Sequence, residues 1–409
     1  MFSNKNAAFE LLGINAGAWI VPVIMGVAVI AFFMANAIMQ KRKNAKNRKY
    51  DKAKNKEAAK LYRKAKFGGA ADWYNMYLFA YERSDDKDIY YEYRQWHEFL
   101  ERAAKRGHPE AMCKVGQLKL LTDRAYAMGL LEKAAEQGVD KACLVIAQEY
   151  AHGLYGYFPE GMEKMSEREC AENAAKWLLP AAERGCSEAQ TRLGDMLRFH
   201  LGDERGALEW YLKAAEKGDS EGQLGVARIY GKRKEFYKAQ KYYRLSAEQG
   251  NTYAQLNYAE MLLLPEIFYD KEKAVYWLEQ SAKGDNPLAI RKLAAFYRDG
   301  DILEQDTQKC VYWLEKGAKI GDDTAAYDIG VRYLNGDGVK QDYKKAIKYL
   351  KFSAGKYNDH AMVELGFCYL NGVGVEKNLE KAEKMFERAV KETDNARAKE
   401  ALETYFNKL

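Results

Sequence analysis

The sequence predicts an all-α protein, an α-solenoid of helical hairpins preceded by one transmembrane helix. Three observations carry this reading. A phrase of small residues, a glycine and a fresh alanine recurs: AAKRGHPEA ends at Ala111, AAEQGVDKA at Ala142, AAERGCSEA at Ala189, AAEKGDSEG at Gly222 and SAEQGNTYA at Ala254. Weaker copies, SAKGDNPLA, GAKIGDDTA and SAGKYNDHA, end at Ala289, Ala325 and Ala361. These origins are spaced by 31, 47, 33, 32, 35, 36 and 36 residues, a period that marks stacked two-helix repeats. Second, the position five past each origin is always Gly or Ala: Gly116, Ala147, Gly194, Ala227, Ala259, Ala294, Gly330 and Gly366. A larger side chain there would push two helices apart. Third, no charged residue occurs from Leu11 to Gln40, and a dense basic run follows.

Taken in chain order, residues 1–13 are a short extracytoplasmic N-terminus and residues 14–40 the transmembrane helix. The 26 residues from Ile14 to Met39 are almost wholly apolar, and at helical rise they span roughly 39 Å, enough for a hydrocarbon core of about 30 Å. Pro22 is tolerated in such a helix. A cleaved signal peptide would need positive charge before the apolar run, where only Lys5 stands, against Glu10. Residues 41–66 form a basic juxtamembrane segment with thirteen Lys or Arg against Asp51 and Glu57. Such a segment stays cytoplasmic and attracts anionic headgroups. Residues 67–110, dense in tyrosine and with a degenerate phrase at KLYRKAKFGGAADWYNM, read as an N-terminal helical cap; residues 111–395 are the repeats and 396–409 a C-terminal capping helix.

Within each repeat the phrase glycine, Gly107, Gly138, Gly185, Gly218, Gly250, Gly284 or Gly321, stands where one helix stops, and Tyr357 replaces it in the eighth copy. A left-handed helix end costs glycine nothing, and a residue with a Cβ roughly 1–2 kcal/mol. The second helix carries a bulky residue four before its small pair: Phe99, Leu130, Trp177, Trp210, Tyr242, Trp277, Trp313, Tyr349 and Met385. These read as wedges between helices. Late repeats add a second turn, NGDGV at 335–339 and NGVGV at 371–375.

The set A-x-x-x-L-G-x-x-Y, N-G-x-G-V, K-A-x-x-W/Y-L and A-A-x-x-G resembles the Sel-one-like repeat, a relative of the tetratricopeptide repeat. The resemblance is strongest from Ala289 to Val390 and recognisable from about Trp96; the copies at Ala189 and Gly222 lack the N-G-x-G-V turn. It implies a right-handed superhelix acting as an adaptor or scaffold in a multiprotein assembly. In tetratricopeptide relatives the first helix of each hairpin lines the concave face. On that footing the candidate partner-binding residues, at two, three, six and seven past the origins, are Arg228, Asn257, Glu260, Arg291, Asp328, Arg332 and Glu364. Their mixed signs suit a peptide or helix held by hydrogen bonds and paired charges.

The long spacing after Ala142 contains an insertion, AHGLYGYFPEGMEKMSEREC, whose Leu154, Tyr155, Tyr157 and Phe158 are a second candidate surface: either a projecting docking element or a loop folded back over the groove.

Chemistry has little to stand on. Six cysteines form no C-x-x-C pair, five histidines have no metal-ligand spacing, and no phosphate-binding or nucleophile motif occurs. No enzyme, cofactor or metal is expected; a hydrolase would need an acid or base cluster in the insertion. The net charge of +6 comes from the basic run, and residues 67–409 carry 51 basic against 56 acidic residues, which argues against nucleic acid. The expected function is a single-pass inner-membrane scaffold with cytoplasmic repeats, incorporated into a larger envelope-associated complex. The alternative is a periplasmic regulator of a membrane sensor or envelope enzyme, acting through the same repeats.

Overall fold

The computed structural model describes residues 52–82, 93–159 and 162–407. The apolar segment 14–40, the N-terminus before it and the first part of the basic run lie outside the described residues. Among those described, no strand occurs and no helix is long and apolar enough to cross a membrane.

The chain divides into two compact units, residues 1–106 and 107–409. The first holds α1 (Lys52–Phe67), α2 (Ala70–Glu82) and α3 (Tyr93–Lys105). Gly68 and Gly69 separate α1 from α2, and Asp72 fixes the corner: its carboxylate accepts from the Gly69 N–H at 3.1 Å and pairs with Lys64 at 3.0 Å. Trp73 stacks on Phe99 at 5.6 Å and meets the edge of Tyr62 at 6.0 Å, which makes an aromatic core.

The second unit is eight hairpins and a closing helix. In order these are α4 (Pro109–Lys119) with α5 (Arg124–Glu136), α6 (Asp140–Ala151) with α7 (Glu167–Glu183), α8 (Ser187–Asp195) with α9 (Glu204–Glu216), and α10 (Ser220–Lys232) with α11 (Phe236–Glu248). Then come α12 (Thr252–Leu262) with α13 (Lys271–Lys283), α14 (Pro287–Asp299) with α15 (Thr307–Lys319), α16 (Asp323–Asn335) with α17 (Tyr343–Gly355), α18 (Asp359–Asn371) with α19 (Leu379–Thr393), and finally α20 (Ala396–Phe406).

Helical periodicity explains which side chains are buried. In each first helix the origin and the residues four and five beyond it are buried, as in Ala361, Leu365 and Gly366. In each second helix the buried stripe runs i, i+4, i+7: Ala127, Leu131 and Ala134 in α5, or Ala382, Phe386 and Ala389 in α19. The two stripes meet at the small position. A Cβ built on Gly366 would sit 2.5 Å from Phe386 Cε1, on Gly194 2.6 Å from Tyr211 Cε1, and on Gly116 2.6 Å from Leu131 Cγ. The close approach expected at this position is present.

The wedge itself lies one residue later than the sequence reading placed it. Leu131, Leu178, Tyr211, Tyr243, Leu278, Leu314, Leu350 and Phe386 are buried, whereas Trp177, Trp210, Tyr242, Trp277, Tyr349 and Met385 are half-buried; Phe99, Leu130 and Trp313 are buried as expected. Position on the stripe decides burial, and aromatic bulk does not. The displaced aromatics cover the hairpin from outside, as where Tyr349 stacks on Tyr333 at 6.1 Å.

Gly107, Gly138, Gly185, Gly218, Gly250 and Gly321 adopt φ between +83° and +98°, as expected. Gly284 does not: its φ is −79°, and the left-handed residue is Asp285 at φ +62°. The phrase SAKGDNPLA carries its glycine one position early, so the turn falls on the aspartate. Tyr357 takes the same conformation at φ +68°. In the two N-G-x-G-V turns the second glycine is confined as well as left-handed, since a Cβ on Gly338 would lie 2.1 Å from Thr307 Cγ2 and one on Gly374 2.8 Å from Tyr343 Cβ. Each late turn therefore rests on the start of the preceding repeat's second helix.

Alanine normally stabilises a helix interior by about 1 kcal/mol over glycine. Gly366→Ala should instead destabilise the chain by about 1–3 kcal/mol, because the Phe386 ring is enclosed. Gly330→Ala should cost less than Gly366→Ala, since its built Cβ lies 3.0 Å from Leu350 Cγ instead of 2.5 Å from an aromatic carbon. Urea unfolding of the two variants checks this ordering, and equal stabilisation by both would remove the close-contact account.

Candidate partner-binding surface

Six of the eight first helices begin on side-chain caps, α6 and α8 being the exceptions, and these caps organise the surface where the candidate residues stand. Asp219, Asn251, Asn286, Asp322 and Asn358 each lie three before an origin and accept from the origin's backbone N–H. All of these but Asn286 also reach back to the preceding repeat. Thr191 donates to Asp219 at 3.0 Å, and Asn251 donates to Glu221 at 2.7 Å. Buried Ser246, Ser281 and Ser353 add hydrogen bonds of 2.6–2.7 Å to the carbonyls of Ser220, Thr252 and Asp323. These serines tie the second helix of a hairpin to the start of its own first helix, whereas Asn286 Nδ2, Gln190 Oε1 and Gln255 Oε1 are buried without a hydrogen-bond partner among the described residues.

Four of the seven groove candidates belong to this lattice, which corrects their assignment as residues left over from packing. Arg291 Nη1 lies 3.1 Å from Asp322, the buried cap of α16. Arg332 is only 8% exposed and holds the NGDGV turn through the Asp337 carboxylate at 2.7 Å. Glu260 pairs with Lys292 of the following repeat, and Glu364 with Arg397 of α20. Reversing the charges of Arg291 and Arg332 would break an N-cap pair and a turn, so those two residues are unsuitable probes of partner binding.

Three candidates keep capacity for a partner. Arg228 is half-buried, with its guanidinium 5.9 Å from the Tyr253 ring. Asn257, also half-buried, donates to the Tyr253 carbonyl at 2.6 Å and keeps its own oxygen. Asp328 is half-buried and, alone among the acidic candidates, makes no hydrogen bond or ion pair among the described residues. Burial pushes its carboxyl above the usual range against the opposing pull of Arg298, Arg332 and Arg291. Those three arginines are engaged by Asp299, Asp337 and Asp322. A related cluster lies near Arg228. There Tyr211 donates to Asp195 at 2.6 Å, and burial raises the pKa of Asp195.

The insertion folds back through part of its length. A short helical turn (His152–Tyr155) ends at left-handed Gly156, and a Cβ on Gly153 would lie 2.4 Å from Cys170 Sγ and 3.0 Å from Phe158 Cε1. Leu154 and Phe158 are half-buried there, while Tyr155 remains 85% exposed and Tyr157 48%. Arg124, ion-paired with Glu149, approaches Met162 Sδ at 3.7 Å. The apolar ends of the loop pack inward, against Cys170 and one another, and two tyrosines face out.

The cap lattice was missed by sequence reasoning, although its signal was present in the Asp or Asn beside the phrase glycine in GDSEG, GNTYA, GDDTA and KYNDH. No group of His, Cys, Asp and Glu among the described residues could hold a metal ion. Five cysteines are buried and Cys186 is half-buried; burial raises the Cys113 and Cys368 thiols to about 11, unsuited to nucleophilic work.

A family model described as the Sel1 repeat matches residues 109–139, 142–186, 187–219, 220–251, 252–286, 287–322, 324–356 and 359–394. Among solved structures, a Sel1 repeat protein from Oxalobacter formigenes is 26% identical with a TM-score of 0.58, the alignment covering 76% of this chain and 90% of that one. The protein c5321, described as a protective antigen of uropathogenic Escherichia coli strains with the same type of repeat fold, is 23% identical with a TM-score of 0.48, over 84% and 89% of the two chains. No curated protein matches the sequence.

The raised pKa of Asp328 fixes the sign of a pH effect. The folded state binds more protons than the unfolded state between the unfolded aspartate pKa, about 3.9, and the raised value, so this group's contribution to stability falls as pH rises through that window. Asp328→Asn should therefore be more stable than the parent at neutral pH, and the difference should vanish below about pH 4. Urea unfolding of both chains across pH measures it; a difference that persists unchanged in acid would contradict the assignment.

Proposed function

The chain belongs to the Sel1 repeat family, and from that premise we propose that it is a membrane-attached scaffold holding a partner protein across the first helices of its central repeats. Sel1 repeats generally mediate protein–protein interactions, and the fold is generally non-catalytic. The observation that carries the proposal is the division of the polar surface. Glu260, Arg291, Arg332 and Glu364 are engaged within or between repeats, whereas Arg228, Asn257 and Asp328 offer a cation, an amide oxygen and a carboxylate from α10, α12 and α16. Such a set suits an extended segment or helix of mixed polarity better than an anion.

The attachment rests on sequence: an uncharged stretch from Leu11 to Gln40, then thirteen basic residues against two acidic ones. In this reading residues 14–40 cross the inner membrane of a bacterial envelope, the N-terminus lies outside and the repeats face the cytoplasm, within a larger assembly.

A photocrosslinking amino acid at Asn257 should give discrete adducts with a partner protein in intact membranes, and the same group at Tyr155 few or none. Adducts from Tyr155 alone would move the recognition surface to the insertion, and absence of protein adducts from both positions would reject the scaffold. For topology, a C-terminal alkaline phosphatase fusion should be inactive and a C-terminal green fluorescent fusion bright. The opposite pair of results would place the repeats in the periplasm.

A further inference from the structure

Helix α1 carries an exposed stripe of three cations ending on a phenyl ring. Lys60, Arg63, Lys64 and Phe67 stand at i, i+3, i+4 and i+7, on one face of the helix, and all four are exposed, Phe67 by 83%. The other face is occupied by the core of its own unit: Ala65 is fully buried, and the Tyr62 ring lies 6.0 Å from Trp73 and 5.8 Å from Phe99. The stripe therefore points away from this aromatic core, with Lys64 reaching Asp72 of α2 at 3.0 Å. With Ala59, Gly68 and Asp72 it lines an open cleft of about 680 Å³.

The charge of the cleft is positive. Asp72 is its sole carboxylate and is already engaged by Lys64 and the Gly69 N–H; the bond from Lys64 holds its carboxyl below the usual range, so it stays ionised and paired. Among the described residues neither Lys60 nor Arg63 has a carboxylate partner. Lys66 adds a further cation beside the ring, its Nζ 5.9 Å from the Phe67 centroid.

The geometry points to a docking site for the anionic headgroups of a membrane surface, in which Lys60 and Arg63 donate to lipid phosphate while Phe67 enters the boundary between headgroups and acyl chains. A free phosphate ion would use the cations and leave the phenyl ring in water; a bilayer uses both. The site deepens the membrane attachment proposed above, since α1 begins twelve residues past Gln40, but it stands on its own residues. It assigns α1 a second role: holding the first helical unit against the surface.

The test uses the full-length chain with an environment-sensitive fluorophore on Phe67→Cys, the parent labelled in parallel to correct for Cys186. The chain is reconstituted with vesicles of phosphatidylglycerol and phosphatidylcholine, or of phosphatidylcholine alone. The fluorophore should shift to the blue and be quenched by lipid-borne nitroxide only on the anionic vesicles. Lys60→Glu with Arg63→Glu, which spares the Lys64–Asp72 pair, should raise the anionic lipid fraction needed for half the shift by roughly fivefold or more. Circular dichroism of the same variants checks that α1 and the repeats remain folded. A chain that resists carbonate extraction yet shows no lipid-dependent shift would sink the site and leave the anchor standing. A chain stripped by carbonate that still shifts on anionic vesicles would sink the anchor and support the site. Full reversal of the shift by inorganic phosphate at matched ionic strength, or the same shift with a single-stranded oligonucleotide, would overturn the lipid assignment.

Discussion

The repeats depend on one steric relation, the fit of a buried bulky side chain of each second helix against a small residue of its partner first helix. At three of the four glycines in this position the approach is shorter than a Cβ tolerates, 2.5 Å at Gly366 and 2.6 Å at Gly194 and Gly116, and at Gly330 it is 3.0 Å. The pairing is locally adjusted. Tyr211 occupies a position held by leucine in most repeats, and room for its ring comes from Gly194 on one helix and Gly225 on the next, each of whose built Cβ atoms would lie 2.6 Å from it. Phe386 makes a similar demand on Gly366. Interiors packed at crystal density transmit such constraints to every neighbour. The alanine-rich remainder of each stripe follows from the same requirement.

Polar groups between the repeats complete the arrangement. A cap such as Asp322 opens its own helix, neutralises Arg291 of the preceding repeat and keeps its carboxylate buried without leaving it unpaired. Groups that do two structural jobs are unavailable to a partner. This explains why a polar residue on a first helix is not by that fact a recognition residue.

Much of the architecture was legible because the chain repeats itself. Eight phrases at similar spacing identify the hairpins, and the Gly or Ala five past each origin identifies the contact between their helices. Registers were harder. Trp277 looks like a wedge by size, yet Leu278 holds the buried place, since a shift of one residue turns a helical side chain through about 100°. Gly284 looks like the left-handed residue by type, yet the turn is set by distance from Ser281 and falls on Asp285. The commitments of Arg291 and Arg332 depended on partners 31 and 5 residues away, one of them in another repeat, and no local pattern displays those. The basic stripe of α1 was visible as composition, while its separation from the packed face required the positions of Tyr62 and Ala65.

A double-mutant cycle on Gly366→Ala and Phe386→Leu, read by urea unfolding, tests the steric relation most directly. If the alanine methyl is costly because it meets the phenyl ring, shortening that ring to leucine removes the conflict. The two substitutions together should then be less destabilising than the sum of each alone, by about 0.5–3 kcal/mol. Strict additivity would show that the methyl and the ring do not compete for the same space, and would contradict the account.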